Sequence, residues 1–256
     1  MLVLVLMSIW PQLFTSYDPL EVIVEDILRP PSPTHLFGTD AVGRDIYARI
    51  VFGTRHSLYL GLVSVSISMS IGVTLGIVVG YLGGPVDAVI MRFVDILLAF
   101  PALLLAMLFI FTFGPSLFNA MIAVGISGIP SFARVTRGEV LSAKQNLYVE
   151  SARALAAPDF LIMFRHVLPN VIAPSIIIGS LRIGSAVLYG ASLSYLGLGA
   201  QAPTPEWGLL VNGGRGFMSV APWMALYPGL AIVIAVLGMN LLGDGLRDLL
   251  DPRLRQ

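Results

Sequence analysis

An all-α, polytopic membrane protein is the fold class this sequence predicts, and three observations predict it. Hydrophobic residues fill 56% of the 256 positions and charged residues 12%, about half of the roughly 25% charge usual in soluble domains. Mean hydropathy is +0.86. Several charge-free runs reach the ~20 apolar residues that a helix needs to cross the hydrocarbon layer. The formal net charge is zero, so no global basic field is available for nucleic acid. The absence of cysteine excludes disulfides, thiolate metal ligands and cysteine nucleophiles together.

The chain opens with "MLVLVLMSIWPQLF", which as a helix is roughly 21 Å long and short of a full span. It has neither the basic leader nor the small-residue cleavage site of a signal peptide, and reads as the end of a first span whose beginning lies outside this sequence. Arg44 to Phe52 predicts a short amphipathic helix on the external membrane surface, with Ile46, Ile50 and Val51 on one side and Asp45 paired to Arg49. Thr39 or Asp40 is its expected cap. Asp40 and Asp45, two carboxylates without a third ligand, make a poor metal site.

No Asp, Glu, Lys or Arg lies between Arg55 and Asp87, which predicts a second span over about Ser57 to Tyr81, ended by "GGP". The charge-free run from Ile96 to Ala133 is too long for one helix and carries "FGPS", so it predicts a hairpin of two spans. A fifth span is expected from about Val171 to Leu198 and a last one from about Trp223 to Leu242. The count is about six transmembrane helices, five of them complete.

The positive-inside rule orients the chain. If the polar stretch after the hairpin is cytoplasmic, nine basic residues lie inside (Arg92, Arg134, Arg137, Lys144, Arg153, Arg165, Arg247, Arg253, Arg255) against five outside (Arg29, Arg44, Arg49, Arg55, Arg215). Trp10, Trp207 and Trp223 then fall at the external boundary, where an aromatic belt sits. Both termini are cytoplasmic in this arrangement. Within the second span Ser64, Ser68, Gly72, Gly76 and Gly80 recur every four residues. That spacing allows close helix packing, within the chain or against a partner span, or a place on a permeation path.

Catalytic signatures are missing. There is no G-x-x-x-x-G-K-[ST] phosphate cradle, no H-E-x-x-H and no G-x-S-x-G, and His35, His56 and His166 are far apart in sequence. Against this stands a polar island: Arg134 to Asn170 carries Arg134, Arg137, Glu139, Lys144, Glu150, Arg153, Asp159 and Arg165. The Ala-rich run from Glu150 to Ala157 predicts a compact helix, Pro158 and Asp159 a break, and Phe160 to Leu168 a resumed helix. Physics alone leaves two readings, a connecting loop or a slim tip that docks on another protein.

The order of residues favours the second. "ESARALAAPDFLIMFRHVLP" resembles the EAA loop of permease subunits in ABC importers: Glu150, Ser151 and Ala152 match its first three positions, Ala156 its glycine, Leu168 and Pro169 its closing pair. "HLFGTDAVGRDIYARIVFGTRHSL", "GYLGGPVDAVIMRFVD", "ARVTRGEVLSAKQNLYVESARAL", "LSYLGLGAQAPTPEWG" and "PGLAIVIAVLGMNLLGDGLRDLLDPRLR" extend the resemblance from His35 onward. Together they resemble the C-type subunit of the dipeptide, oligopeptide and nickel branch. Departures are Ala156 for glycine, Ser151 for alanine, Pro158 for a small polar residue, and Gly190 where the family usually carries an acid.

The resemblance implies a type I ABC importer permease fold, with an N-terminal part over residues 1–56, a permease domain over 57–256 and a cytoplasmic coupling loop over 134–170. It implies a prokaryotic cytoplasmic (inner) membrane and a non-catalytic subunit, without a cofactor of its own, that imports peptides or a related cargo such as nickel. Expected partners are a homologous second permease subunit, two ATP-binding cassette ATPases, an extracytoplasmic substrate-binding protein and the lipid bilayer. The ATPase-coupling residues carried over are Glu150, Ser151, Ala152, Arg153, Ala156, Ala157 and Asp159. Arg182, near the middle of the fifth span, is expected either to line the translocation path and meet a substrate carboxylate or to pair structurally. A secondary transporter or channel subunit is the alternative, for which few buried charges are present. A scaffold without transport leaves the ordered motifs unexplained.

Overall fold

A computed structural model describes residues 1–250 of the chain; Arg253, Arg255 and the end of the last quoted motif lie outside the described residues. Helices α1 (Leu2–Ile9) and α2 (Ile46–Leu82) come first, then α3 (Gly84–Ala99), α4 (Ala102–Phe113) and α5 (Leu117–Ala143). Next are α6 (Leu147–Ala154) and α7 (Asp159–Leu161), a π-helical turn over Ile162–Val167, α8 (Leu168–Tyr195), α9 (Trp207–Gly214) and α10 (Trp223–Leu250). By length and composition four helical segments can each cross a membrane, and a fifth candidate is the bent pair α3 and α4. The count reaches the five complete spans expected only with the bent pair taken as one span, and that pair begins at Gly84, ahead of the run from Ile96. At 8 residues, about 12 Å of helix, α1 does not reach across.

The bend was not anticipated. Pro101 has no N–H to continue a helix and disfavours α geometry in the residue before it; Phe100 is accordingly extended (φ −91°, ψ 139°), and the two halves meet at 96°. The carboxylates of α3 are tolerated because they are paired: Asp87 accepts two hydrogen bonds from Arg137, each 2.5 Å, and Asp95 pairs with Arg134 of α5.

The central contact is α2 against α5. Ser64 and Ser68 donate across it to the carbonyls of Met121 (2.9 Å) and Gly125 (2.6 Å). A Cβ added at Gly76 would stand 2.6 Å from the Thr136 Cβ, and one at Gly80 2.9 Å from the Val140 Cβ. The small-residue stripe thus seats α5 against α2, where close packing replaces the hydrophobic drive that lipid does not supply. At Gly190 an added Cβ would run into the Leu60 side chain, so Leu60 fills the space that a larger residue needs.

At the end of the bundle that carries residues 15–45, several expectations change. Arg44 to Phe52 is no separate interfacial helix: from Ile46 it forms the first turns of α2, with Ile46, Ile50 and Val51 buried. Its helix runs unbroken through residues 56 and 57, so a division there is one of sequence and not of helices. The cap is Asp45, which accepts from the Ala48 N–H at 2.7 Å. Arg49 reaches Asp40 (3.1 Å) instead of Asp45, whose other oxygen lies 2.9 Å from His35 Nδ1. These pairs pin the 15–45 segment onto α2. Trp207 is wholly buried and donates to the Ile50 carbonyl at 3.0 Å; it belongs to the core and not to an aromatic belt.

Candidate functional site

Two places hold the site residues that the sequence points to: the loop from Lys144 to Val167 at one end of the bundle, and a cavity halfway along it. The loop is built on α6, which starts at Leu147 and ends at Ala154, earlier at both ends than the Ala-rich run predicts. Its inner face is Val149 and Ala152, buried against Val140, Ile162, Met163 and Val167. Its outer face is exposed and carries Glu150, Ser151 and Arg153.

Helix α6 ends in a Schellman cap. The Ala157 N–H donates to the Ala152 carbonyl at 3.1 Å and the Ala156 N–H to the Arg153 carbonyl at 2.9 Å, which satisfies carbonyls that the helix end would orphan. Such a cap needs one left-handed residue, and Ala156 supplies it with φ +53°. Glycine adopts that geometry without penalty, which gives the physical reason for a glycine at this point of the EAA pattern. Pro158, extended, then opens α7.

The predicted residues divide by direction. Glu150, Ser151, Arg153, Ala156 and Asp159 face outward, Ala152 is buried and Ala157 half-buried. Two residues that sequence reasoning missed stand beside them: Leu155, 83% exposed, and Phe160, 70% exposed. Their signal was available, as apolar residues flanking the break of a polar stretch. A third is Tyr81, at the end of α2. Its hydroxyl donates to Asp159 Oδ1 at 2.7 Å and accepts from Arg153 Nε at 3.3 Å, and the Arg153 guanidinium lies 5.0 Å from the centre of its ring. Lys144 adds a bond to the Gly80 carbonyl at 3.2 Å. The loop is therefore latched to α2 by both its limbs.

The cavity, about 250 Å³, lies among α2, α5, α8 and the bend between α3 and α4. Arg182 projects into it from α8 with Ser185 and Tyr189, facing Ser127 and Ser131 of α5. The Arg182 guanidinium carbon is 5.8 Å from the centre of the Phe132 ring. The structure thus puts Arg182 on a cavity wall, far along the bundle from the loop. Among the described residues no group of three or more His, Asp or Glu is placed to hold a metal ion.

The model of one protein family, the binding-protein-dependent transport system inner membrane component, matches residues 72–256. The chain belongs to that family. Over 255 residues it is 47% identical to the glutathione transport system permease protein GsiD of Pectobacterium atrosepticum, covering 99% of this chain and 85% of that one. It is 45% identical over 251 residues to the dipeptide transport system permease protein DppC of Alkalihalophilus pseudofirmus (98% and 83% covered). To the probable D,D-dipeptide transport system permease protein DdpC of Escherichia coli it is 44% identical over 250 residues (98% and 84%). In fold it is similar to chains of inward-facing structures of the MetNI methionine ABC transporter. Two of these give TM-scores of 0.64 and 0.59, at 19% and 20% identity, covering 80% and 79% of this chain and 98% and 96% of those chains. This permease is accordingly a non-catalytic membrane subunit of an ABC importer, and the secondary-transporter reading gives way.

Proposed function

We propose that this permease forms half of the pathway of a peptide importer in the prokaryotic cytoplasmic membrane and that its 134–170 loop, on the cytoplasmic side, is the handle for an ATPase. A homologous second permease supplies the other half, two ATPase subunits bind the ATP, and a binding protein delivers cargo at the opposite end. The three relatives named for glutathione, dipeptides and D,D-dipeptides support peptide cargo.

The observation that carries the coupling role is the split of α6. Its inner face is locked into the bundle, while Glu150, Ser151, Leu155 and Phe160 stand free at the tip. Apolar anchors beside a charge are what a protein groove takes up. Force on the tip passes to α2 through Tyr81 and Lys144, and α2 lies along the cavity, so ATPase closure and pathway access are coupled through one rigid body.

Glu150→Arg in the assembled complex tests this. The side chain is exposed, so folding is expected to survive. Cargo-stimulated ATP hydrolysis and uptake should both fall by about tenfold or more. A variant complex with unchanged stimulation and uptake would remove Glu150 from the interface.

A further inference from the structure

Arg182 lies midway along α8 and has no counter-charge among the described residues. Among the described residues its guanidinium makes no ion pair or hydrogen bond; its neighbours are the Phe132 ring face and the Tyr189 phenol. The walls offer nothing better. From Ile46 to Leu82 α2 carries no acid, α4 and α8 carry none, and the one acid of α5, Glu139, is exposed about 10 Å along the helix from Phe132. Asp87 and Asp95 of α3 are held by Arg137 and Arg134. A charge kept at membrane depth normally faces a cavity or a partner; this one faces the cavity, which leaves its counter-charge to be supplied by what enters there.

The rest of the lining says what kind of partner. Ser64 and Ser68 spend their hydroxyls on α5 carbonyls, and Ser127 donates to the Val124 carbonyl. Ser131, Ser185 and Tyr189 make no hydrogen bond among the described residues. Three free hydroxyls, each able to donate and accept, therefore surround one free guanidinium. A carboxylate with amide groups behind it satisfies this set. At about 250 Å³ the cavity is below the roughly 300–1,000 Å³ that encloses a drug-sized ligand, so it takes the end of a chain and not a whole peptide. Arg182 is also only partly buried, which keeps binding weak enough for the cargo to leave, as a conduction site requires.

We propose that this cavity is a transient station for the C-terminal carboxylate of peptide cargo, with Arg182 as counter-charge and Ser131, Ser185 and Tyr189 as its hydroxyl partners. The inference rests on the reading of the chain as half of a peptide pathway.

Because the chain has no cysteine, Ser127→Cys gives a unique thiol in it, on the cavity wall and outside the proposed partners. In the full complex, reconstituted in nanodiscs without nucleotide, alkylation of this thiol is timed with trialanine or its C-terminal amide present. Trialanine should slow labelling and the amide should not. The concentration of trialanine needed should rise about tenfold or more with Arg182→Gln, the loss expected for a charge-assisted hydrogen bond, and be partly restored with Arg182→Lys. Equal protection by acid and amide, or protection unchanged in Arg182→Gln, would mean that the guanidinium serves a subunit acid or a lipid phosphate, and the proposal would fall. ATP-dependent trialanine uptake by the same complex in proteoliposomes separates the two readings. Uptake without protection sinks the station alone; no uptake sinks the peptide pathway beneath it.

Discussion

The Tyr81 hydroxyl bonds Asp159 across 78 residues of sequence, which ties the last turn of α2 to the outward face of the loop. The bond has an ordinary length of 2.7 Å, and Tyr81 itself is buried at 4% exposure. Removing the hydroxyl with Tyr81→Phe keeps the ring packed and leaves Asp159, which is exposed, free to hydrate. The loss in stability is then about 1 kcal/mol. The loss in coupling is larger if this bond transmits the motion. The expected outcome is several-fold less cargo moved per ATP hydrolysed, with the ATPases still co-purifying at the normal ratio. An unchanged transport-to-hydrolysis ratio would place transmission elsewhere, with Lys144 the next residue to test.

A second prediction concerns Ala156. At φ +53° a residue with a Cβ bears a left-handed penalty of about 1–2 kcal/mol, whereas introducing glycine loosens the unfolded chain by about 0.4–1 kcal/mol. The first exceeds the second. Ala156→Gly should therefore raise stability by about 0.5–1 kcal/mol, seen as slower hydrogen exchange across α6, and Ala156→Val should lower it because a β-branched residue fits that geometry worst. Slower exchange in the valine variant would refute the strained cap.

The third tests the seam between α2 and α5. A side chain at Gly76 meets the Thr136 Cβ and, at 2.7 Å, the Ala133 carbonyl; backbone does not step aside as a side-chain tip does. Overpacking of this kind costs typically 1–3 kcal/mol or more, so Gly76→Val should reduce folded yield sharply. Gly138→Ala, on the same α5 but with nothing within 4 Å of its added Cβ, should be neutral or gain up to ~1 kcal/mol from helix propensity. Yields measured by size-exclusion of the solubilised complex would contradict the seam if the two variants behaved alike.

These three positions also mark what the sequence discloses. The Gly76 stripe is legible because helical spacing repeats it; which helix it meets is not, since Thr136 lies sixty residues on. The loop is legible as a polar island with an ordered motif, and the glycine position of that motif could be named before its φ was known. Tyr81 stays hidden because a tyrosine ending a span looks like an interfacial anchor until its partner is placed. The bend at Phe100 is not legible because charge-free runs mark spans and α3 carries Asp87, Arg92 and Asp95; pairing of its carboxylates lets a charged helix lie there. Arg182 stood out as a charge in an apolar run, but only the fold shows that its walls bring hydroxyls and no acid.

The last prediction concerns Glu206, in the connection between α8 and α10. It is 1% exposed and caps α9, accepting from the Gly208 and Leu209 N–H groups at 3.0 Å each and from the Ser57 hydroxyl at 3.3 Å. Burial pushes its carboxyl above the ordinary glutamate range, and these hydrogen bonds, which favour the anion, only partly oppose it. The folded chain consequently holds this proton more tightly than the unfolded chain does. By linkage, the stability this group confers is full below the ordinary value of about 4.3 and is lost as pH rises from there through the raised folded value. Glutamine has no proton to lose and keeps one acceptor for the cap. Thermal midpoints of wild type and Glu206→Gln, taken at matched pH, should therefore diverge in slope: the wild-type midpoint falls relative to the variant as pH climbs through that window, and the difference levels off above it. Parallel curves across the window would show that folding leaves the proton affinity of Glu206 unchanged, and the cap would then be held by a carboxylate that its hydrogen bonds fully compensate.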